Sequence, residues 1–259
     1  MAKKSDAAKK LRSGQVPLER ALSKLGISSR TQAREWILAG RVRVNGSIQR
    51  SPEFPVVPER TVIEIDGKRI TRATPRTFAL HKPRGTVTTR SDEKGRPTVF
   101  SLMSKLELHL IAVGRLDWAT SGLLIVTNDT KLADWLTDPS HGVRRTYIVT
   151  VRGKVTEEEL ELLHQGLRDR NEVLRPDEVL LRKASGKESH LVVHLSEGKN
   201  REIRRMFAVL HHEVTRLKRV SYGGLELGDL PLGEYRELGA EELQQVFPGA
   251  PVTSAAIVE

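Results

Sequence analysis

The sequence contains no cysteine in 259 residues. This absence excludes disulfides, thiolate catalysis and zinc sites built on cysteine. Aromatic residues make up only 4% of the chain, so an extended surface for stacking single-stranded bases is not expected. No segment approaches the roughly 18 consecutive apolar residues of a membrane span, and the polar residues 1–4 lack the apolar region of a secretory signal. We therefore expect a cytoplasmic protein.

Acidic residues are fewer than basic ones. The chain has 43 Lys and Arg against 33 Asp and Glu, which gives a net charge of +10 and a pI near 10.0. Such an excess favours a polyanionic partner, either nucleic acid or an anionic membrane surface. Motifs of other enzyme classes are also missing, because no Gly-x4-Gly-Lys-Ser/Thr phosphate loop and no Gly-x-Ser-x-Gly elbow occurs. We expect no cofactor and no metal ion.

The hydrophobic share of 38% is enough for a core, and the length allows a small and a medium-sized domain. Residues 1–16 are basic and almost free of large apolar side chains, which predicts a disordered arm. We assign residues 17–70 to a first domain and residues 71–76 to a linker. The second domain takes residues 77–248, and the Pro-, Ala- and Ser-containing residues 249–259 are expected to form a loose tail.

The pattern of residues 17–70 predicts two short helices followed by a β-hairpin. Apolar side chains recur with the spacing of one helical face at Leu18, Ala21, Leu22 and Leu25. A second helix can begin at a cap on Ser28 or Ser29 and end at Gly40. Valines then alternate with arginines up to Asn45-Gly46, a dipeptide typical of hairpin turns. These elements would form a compact unit with a basic surface.

Arginines give this unit its basic surface: Arg30, Arg34, Arg41 and Arg43, together with Arg50. The motifs Ser29-Arg30, residues 40–46 and Asp66-Gly67 resemble the RNA-binding module named after ribosomal protein S-four. The resemblance implies that these arginines contact RNA, whereas the alternative is a solvated charged face. Contacts with phosphates would lower the logarithm of affinity by about 0.7 to 0.9 per contact for each tenfold rise in salt.

The apolar, β-branched residues 123–127 predict a strand buried on both faces. The loop before it carries Arg115 and Asp117 between Gly114 and Gly122. A carboxylate in this loop lies next to the core and can be held rigidly while still meeting a ligand. The alternative is that Asp117 only orders the turn through its own backbone.

The runs Gly114-Arg115-Leu116-Asp117 and Ser121-Gly122-Leu123-Leu124 resemble the signature of the RsuA family of ribosomal RNA pseudouridine synthases. The resemblance implies that Asp117 is the catalytic residue, with Arg115 supporting it in the site. It also implies that Tyr147, in the predicted strand at residues 144–151, packs against the target base. From the pattern alone, Tyr147 is as readily an ordinary core residue of that strand.

Apolar residues predict one buried helix face at Ile203, Met206, Phe207 and Leu210. Asn200 is a plausible cap for this helix. Arg204 flanks the buried face, and a flanking arginine that extends into solvent is the alternative. The resemblance implies instead that Arg204 pairs with Asp117. We expect Arg201 and Arg205 to meet RNA phosphates.

Two further segments of the second domain carry predictions. Residues 78–80 predict a strand that leads into the turn Lys82-Pro83-Arg84-Gly85. The family has a Lys-Pro-x-Gly turn at this place, near the active cleft, and we expect Lys82 to bind RNA. Residues 168–188 are charged and irregular apart from an apolar run at residues 179–181, which predicts loops around one strand.

The resemblance implies an α+β fold, in which the module precedes a catalytic domain with a mixed, mainly antiparallel sheet. It also implies isomerisation of uridine to pseudouridine in ribosomal RNA after the base has flipped out of its stack. The runs at residues 95–100 and 198–206 favour 23S RNA, free or in a pre-ribosomal particle, over the 16S enzyme of the same family. The alternative is a non-catalytic RNA-binding or ribosome-assembly factor, which would not need the Asp117 loop. We expect a monomer without a membrane partner.

Overall fold

The structure of the chain is a computed structural model, and it describes residues 11–106 and 108–252. Most of the predicted arm, residues 1–10, and most of the predicted tail, residues 253–259, lie outside the described residues. The chain divides into two compact units, Met1–Thr74 and Pro75–Glu259.

The first unit contains two helices and several short strands. Its elements are β1 (Val16–Pro17), α1 (Leu18–Lys24), α2 (Arg30–Leu38), β2 (Val42–Val44), β3 (Ser47–Ile48), β4 (Pro55–Val56), β5 (Ile63–Ile65) and β6 (Lys68–Arg69). Strands β3, β2, β5 and β6 form an antiparallel sheet, and β1 pairs with β4. Helices and sheet share one apolar cluster, which includes Leu22, Ile37 and Ile63.

Local sequence explains helix α2 and the hairpin β2–β3. Ser29 caps α2, because its hydroxyl accepts a hydrogen bond from the backbone N–H of Gln32 at 3.1 Å. Between β2 and β3, Asn45 and Gly46 take positive φ angles of 49° and 82°, which these two residue types adopt most readily. The predicted helix pair and hairpin are therefore confirmed.

The second unit is built on one large sheet. Its strands are β7 (Thr77–Lys82), β8 (Ile111–Ala112), β9 (Ser121–Thr127), β10 (Arg145–Arg152), β11 (Leu167–Asp169), β12 (Glu172–Leu174), β13 (Glu178–Ala184), β14 (Glu188–Leu195), β15 (Val214–Tyr222), β16 (Leu225–Glu226) and β17 (Tyr235–Leu238). Its α-helices are α3 (Thr130–Thr137), α4 (Glu157–Gln165), α5 (Glu202–Val209) and α6 (Ala240–Val246), with 3₁₀ helices at Ser101–Leu106 and Pro139–His141.

The strands of the large sheet follow the order β13-β14-β10-β15-β9-β7-β17, with β8 added to β9 and β16 added to β15. Strands β15 and β9 run parallel, whereas the other neighbours run antiparallel. The structure thus confirms the predicted α+β fold with a mixed, mainly antiparallel sheet. The β15–β9 pair is central to the site, because the loop that carries Asp117 leads directly into β9.

Strand β9 is buried on both faces, as its unbroken apolar sequence predicts. Leu123 and Ile125 pack in a cluster with side chains of α3 and α6. Leu124 and Val126 belong to a different cluster, which includes Phe78 of β7. The alternation follows from the two-residue period of a strand. Because both faces are covered, β9 gives the Asp117 loop a rigid support.

Gly122 permits the close approach of β9 to β15. Its φ is +111°, and a Cβ atom built on it would lie 2.1 Å from the carbonyl oxygen of Arg219. Arg219 and Gly122 are partners in the parallel register. Backbone geometry therefore requires glycine at this position.

Two predictions for the second unit were wrong. Residues 168–188 are more regular than predicted, since the hairpin β11–β12 and the long strand β13 take up most of them. Many side chains of these strands are exposed and charged, which hid the strand pattern. In the predicted loose tail, Ala250 and Val252 pack against the apolar cluster of α3 and α6, so these two residues are not loose.

Candidate active site

A cavity of about 420 Å³ lies where the Asp117 loop, strands β10 and β15, and the turn before α5 meet. The residues predicted to form the catalytic site all line it: Arg115, Asp117, Tyr147 and Arg204. They come from distant parts of the chain, and the sheet order brings them together. Strand β15 lies between β10, which carries Tyr147, and β9, which follows Asp117.

Hydrogen bonds to its backbone fix the Asp117 loop. The N–H of Thr120 donates to the carbonyl of Asp117 at 3.0 Å and closes a turn. The hydroxyl of Thr88 donates to the carbonyl of Leu116 at 2.8 Å. These bonds leave the carboxylate of Asp117 free to face the cavity while its backbone stays in place.

Lys82 holds the same loop from inside the protein. Its side chain is fully buried, and its ammonium donates to the carbonyls of Pro83, Asp117 and Thr120 at 3.0, 3.1 and 2.8 Å. Burial lowers the pKa of Lys82 to about 8. The prediction that Lys82 binds RNA was wrong, because a buried ammonium with three carbonyl partners cannot reach a phosphate.

Two arginines at the start of helix α5, Arg201 and Arg204, approach Asp117. Nη1 of Arg201 donates to Oδ2 of Asp117 at 3.1 Å, and Nε of Arg204 lies 3.9 Å from the same oxygen. The structure therefore brings Arg204 to Asp117, as the resemblance implied. It also places the guanidinium of Arg201 at the carboxylate. The side chain of Arg201 is still 52% exposed, so the expectation that it meets RNA phosphates stays a prediction.

Arg204 is fixed in place by the backbone around it. Its Nη1 donates to the carbonyl of Val214 at 2.9 Å, and its Nη2 donates to the carbonyl of Ala119 at 3.3 Å. Burial lowers the pKa of Arg204, and the neighbouring charge of Arg201 acts in the same direction. The alternative that Arg204 extends into solvent is excluded by these contacts.

Tyr147 lies near the start of strand β10. Its partner in the register with β15 is Arg219. The ring is partly buried, and it packs against two apolar clusters of the second unit. Because Tyr147 also lines the cavity, it is both a core residue and a wall of the site.

The turn before α5 depends on a buried carboxyl group that the sequence analysis missed. Oε2 of Glu202 accepts a hydrogen bond from the N–H of Lys199 at 3.1 Å, and Glu202 is 3% exposed. Burial and the neighbouring Glu197 raise the pKa of Glu202 to about 8. Asn200 is not the cap, because α5 begins after Arg201, which takes a left-handed conformation without a side-chain cap bond.

Arg205 does not point to an open surface. Its guanidinium forms ion pairs with Asp169 and Glu172 of the hairpin β11–β12. These ion pairs occupy the guanidinium in the structure, and the expectation that Arg205 meets RNA phosphates stays a prediction. No sequence pattern pointed to these ion pairs, because the hairpin that supplies the carboxylates was itself predicted as a loop.

The four arginines of the first unit that were predicted to bind RNA are exposed, and three of them have partners within the protein. Arg34 pairs with Glu19 at 3.2 Å, Arg41 pairs with Asp66, and Nη1 of Arg43 donates to the carbonyl of Gly46 at 3.0 Å. The side chain of Arg30 makes no hydrogen bond or ion pair within the described residues. Exposed ion pairs are weak, so the pairs at Arg34 and Arg41 leave both side chains able to exchange partners.

The fold and the site together are those of an enzyme that modifies RNA. The chain belongs to the RNA pseudouridylate synthase family, whose model matches residues 76–209. The S4 domain model matches residues 16–62, which are the helix pair and hairpin of the first unit.

Relatives extend the match over most of the chain. An uncharacterized RNA pseudouridine synthase of Aquifex aeolicus (strain VF5) is 36% identical over 235 residues, which cover 90% of this chain and 94% of that protein. The ribosomal large subunit pseudouridine synthase B of Bacillus subtilis (strain 168) is 35% identical over 231 residues, 88% of this chain and 94% of that one. A crystal structure of a pseudouridylate synthase superposes with a TM-score of 0.62 at 28% identity, covering 89% of this chain and 99% of that one.

Family membership decides between the two hypotheses that the sequence left open. The chain is an RNA-modifying isomerase rather than a non-catalytic RNA-binding factor. None of the helices in the described residues has the length and the apolar character needed to span a bilayer.

Proposed function

We propose that this enzyme converts uridine to pseudouridine in the RNA of the large ribosomal subunit, with Asp117 as the catalytic residue. The observation that supports the proposal most strongly is that Asp117, Tyr147 and Arg204 line one cavity. Its volume of about 420 Å³ is in the range of pockets that hold small ligands, so it can admit a single extruded nucleoside.

The reaction moves the glycosidic bond of uridine from N1 to C5 of the base. Asp117 acts on the ribose, either as a nucleophile at the anomeric carbon or as a base towards the sugar. Both roles need an ionised carboxylate. The guanidinium groups of Arg201 and Arg204 stabilise that charge when RNA fills the cavity and expels water.

The target uridine has to leave its stack to reach Asp117, which costs a few kcal/mol. Contacts between arginines and phosphates offset this cost. Arg115 is exposed at the cavity and Arg30 is exposed in the first unit, so both are available for such contacts. The ring of Tyr147 packs against the extruded base.

The large subunit is the proposed source of the substrate because the Bacillus subtilis relative carries that name. The substrate is 23S RNA, free or in a pre-ribosomal particle, and the enzyme acts on it in the cytoplasm as a monomer. The 16S RNA is the alternative substrate within the same family.

Purified enzyme and unmodified transcripts test this proposal. The 23S and 16S transcripts of the source organism, each labelled with tritium at C5 of uridine, are incubated separately with the wild-type protein. We expect tritium release and a pseudouridine at a defined position in the 23S transcript alone. Release from the 16S transcript alone, or from neither, would contradict the proposed substrate.

A further inference from the structure

Buried polar atoms without a hydrogen-bond partner gather around the cavity. Within the described residues, these side-chain atoms are Ser28 Oγ, Thr120 Oγ1, Glu202 Oε1, Arg204 Nε and Arg219 Nη2. All except Ser28 belong to residues that line the cavity. Folded proteins pair nearly all such atoms. Their concentration at one cavity indicates that a bound ligand supplies the missing partners.

Among these atoms, that of Arg219 should cost the most free energy to bury, because it belongs to a charged side chain. Its side chain is 2% exposed, yet no carboxylate of the described residues lies within ion-pair distance of it. Nε donates to the carbonyl of Leu123 at 2.7 Å, and the guanidinium carbon lies 5.0 Å from the ring centre of Tyr222. Because a buried, unpaired charge is unfavourable, these contacts offset only part of the cost of keeping Arg219 there.

The register of the sheet gives Arg219 a central position in the site. Its backbone partners are Tyr147 on strand β10 and Gly122 on strand β9. Tyr147 is the residue proposed to pack against the base, and β9 begins just after the Asp117 loop. Arg219 therefore lies between the proposed base-contacting wall and the proposed catalytic carboxylate.

We infer that Arg219 contacts the target uracil and stabilises the negative charge that the base gains when it separates from the ribose. The inference rests on the proposed function, because it requires a uridine in this cavity. When the N1–C1′ bond breaks, its electron pair stays with the base and spreads onto the carbonyl oxygens. The C5–C1′ bond then forms, C5 loses its proton and N1 gains one.

A base suits this position better than a phosphate does. Phosphate groups remain at the surface, where the exposed Arg115 and the half-exposed Arg201 can meet them. The carbonyl oxygens of uracil are hydrogen-bond acceptors, which matches the free N–H of Arg219. Nη2 is covered in the free protein, so a small movement of the cavity wall accompanies binding of the base.

Single-turnover kinetics with two RNAs test the inference. The variants are Arg219→Met, Arg219→Lys and, as a matched control, Arg216→Met, which changes an exposed arginine of the same strand β15. The first RNA carries uridine at the target position and the second carries 5-fluorouridine. Consumption of the target nucleoside is followed by digestion and mass spectrometry. Fluorine withdraws electrons and stabilises the uracil anion, so the fluorinated base depends less on Arg219.

We expect Arg219→Met to slow consumption of uridine by roughly 100- to 1,000-fold with unchanged RNA affinity, and to slow consumption of 5-fluorouridine less. Arg216→Met should behave as the wild type with both RNAs. If thermal unfolding shows that Arg219→Met does not fold, Arg219→Lys is used instead. Its rates with uridine and with 5-fluorouridine are then compared in the same way.

Three outcomes would overturn the inference. An equal loss of rate with both RNAs would assign Arg219 a structural role. Unchanged rates with both RNAs would show that Arg219 takes no part in the reaction. A loss of RNA affinity with a weaker salt dependence would assign it to a phosphate. A wild-type protein that consumes no uridine would instead count against the proposed function itself.

Discussion

Arg201 donates a hydrogen bond to Asp117 across 3.1 Å, and it thereby holds the proposed catalytic carboxylate more directly than Arg204 does. The side chain of Arg201 is 52% exposed, whereas that of Arg204 is 14% exposed. Water and salt screen an exposed pair far more than a buried one. The contact between Arg201 and Asp117 is therefore expected to stabilise the carboxylate less than the contact with Arg204 does, although it is the shorter of the two.

Substitution of the two arginines should separate these contributions. Arg201→Gln is expected to lower the single-turnover rate by up to about fivefold, because an exposed pair is worth roughly 0.2–1 kcal/mol. Arg204→Gln is expected to lower it by roughly 100- to 1,000-fold, as for a buried group that stabilises charge in the reaction. Tritium release from labelled RNA measures both rates. The reverse order of the two defects would contradict this interpretation.

Lys82→Met should destabilise the second unit. The variant removes the donor from the carbonyls of Pro83, Asp117 and Thr120. The carbonyl of Asp117 keeps its bond from the N–H of Thr120, and each buried acceptor left without a partner costs about 1–3 kcal/mol. We expect the free energy of unfolding to fall by roughly 3 kcal/mol or more, measured by urea denaturation. Lys131→Met, which changes an exposed lysine of α3, serves as the control. Equal stabilities of the two variants would show that Lys82 does not hold the loop.

Glu202 predicts a pH dependence of stability. Its pKa in the folded protein is raised to about 8, first by burial and then by Glu197, compared with about 4.3 in an unfolded chain. Between these values the folded state binds more protons than the unfolded state, so the free energy of unfolding decreases as pH rises. The charged groups that face Glu202 are Glu197 and Lys199.

Glu202→Gln should remove that decrease. The amide is uncharged at every pH, and its oxygen can still accept the hydrogen bond from the N–H of Lys199. Chemical denaturation of wild type and variant at several pH values between about 4 and 8 measures the effect. If the free energy of unfolding of the wild type falls no faster with rising pH than that of the variant, Glu202 is not the group that holds the proton.

Gly122→Ala should disrupt the parallel pairing of β9 with β15. The new Cβ atom would meet the backbone of Arg219, and the positive φ adds strain. Overpacking and backbone strain each cost roughly 1–3 kcal/mol, so thermal denaturation should show a large loss of stability. Gly186→Ala is the matched control, since nothing lies within 4 Å of its Cβ position. A neutral Gly122→Ala variant would mean that the two strands can separate without harm.

Much of the fold could be predicted because local patterns dominate it. The apolar spacing of α1, the cap at Ser29 and the turn at Asn45-Gly46 act over a few residues, and all three are found in the structure. Strand β9 was recognised from its unbroken apolar run. The hairpin β11–β12 was not recognised, because its exposed, charged side chains lack the alternation of a half-buried strand.

The site was predictable only in part, for a different reason. Asp117, Tyr147 and Arg204 were identified by resemblance, and the structure brings them to one cavity. The partners of Arg205, the burial of Lys82 and the position of Arg219 depend on strand order and register, which no local pattern reveals. In a basic strand such as β15, no sequence pattern shows that Arg219 is buried while Arg216 is exposed.

The most direct test of the account is the activity of Asp117→Asn on RNA labelled with tritium at C5 of its uridines. The amide has nearly the shape of the carboxylate but carries no charge, so the variant should bind RNA almost as tightly as the wild type. We predict that it releases no tritium in single-turnover reactions. Release at a rate near that of the wild type would show that Asp117 is not the catalytic residue.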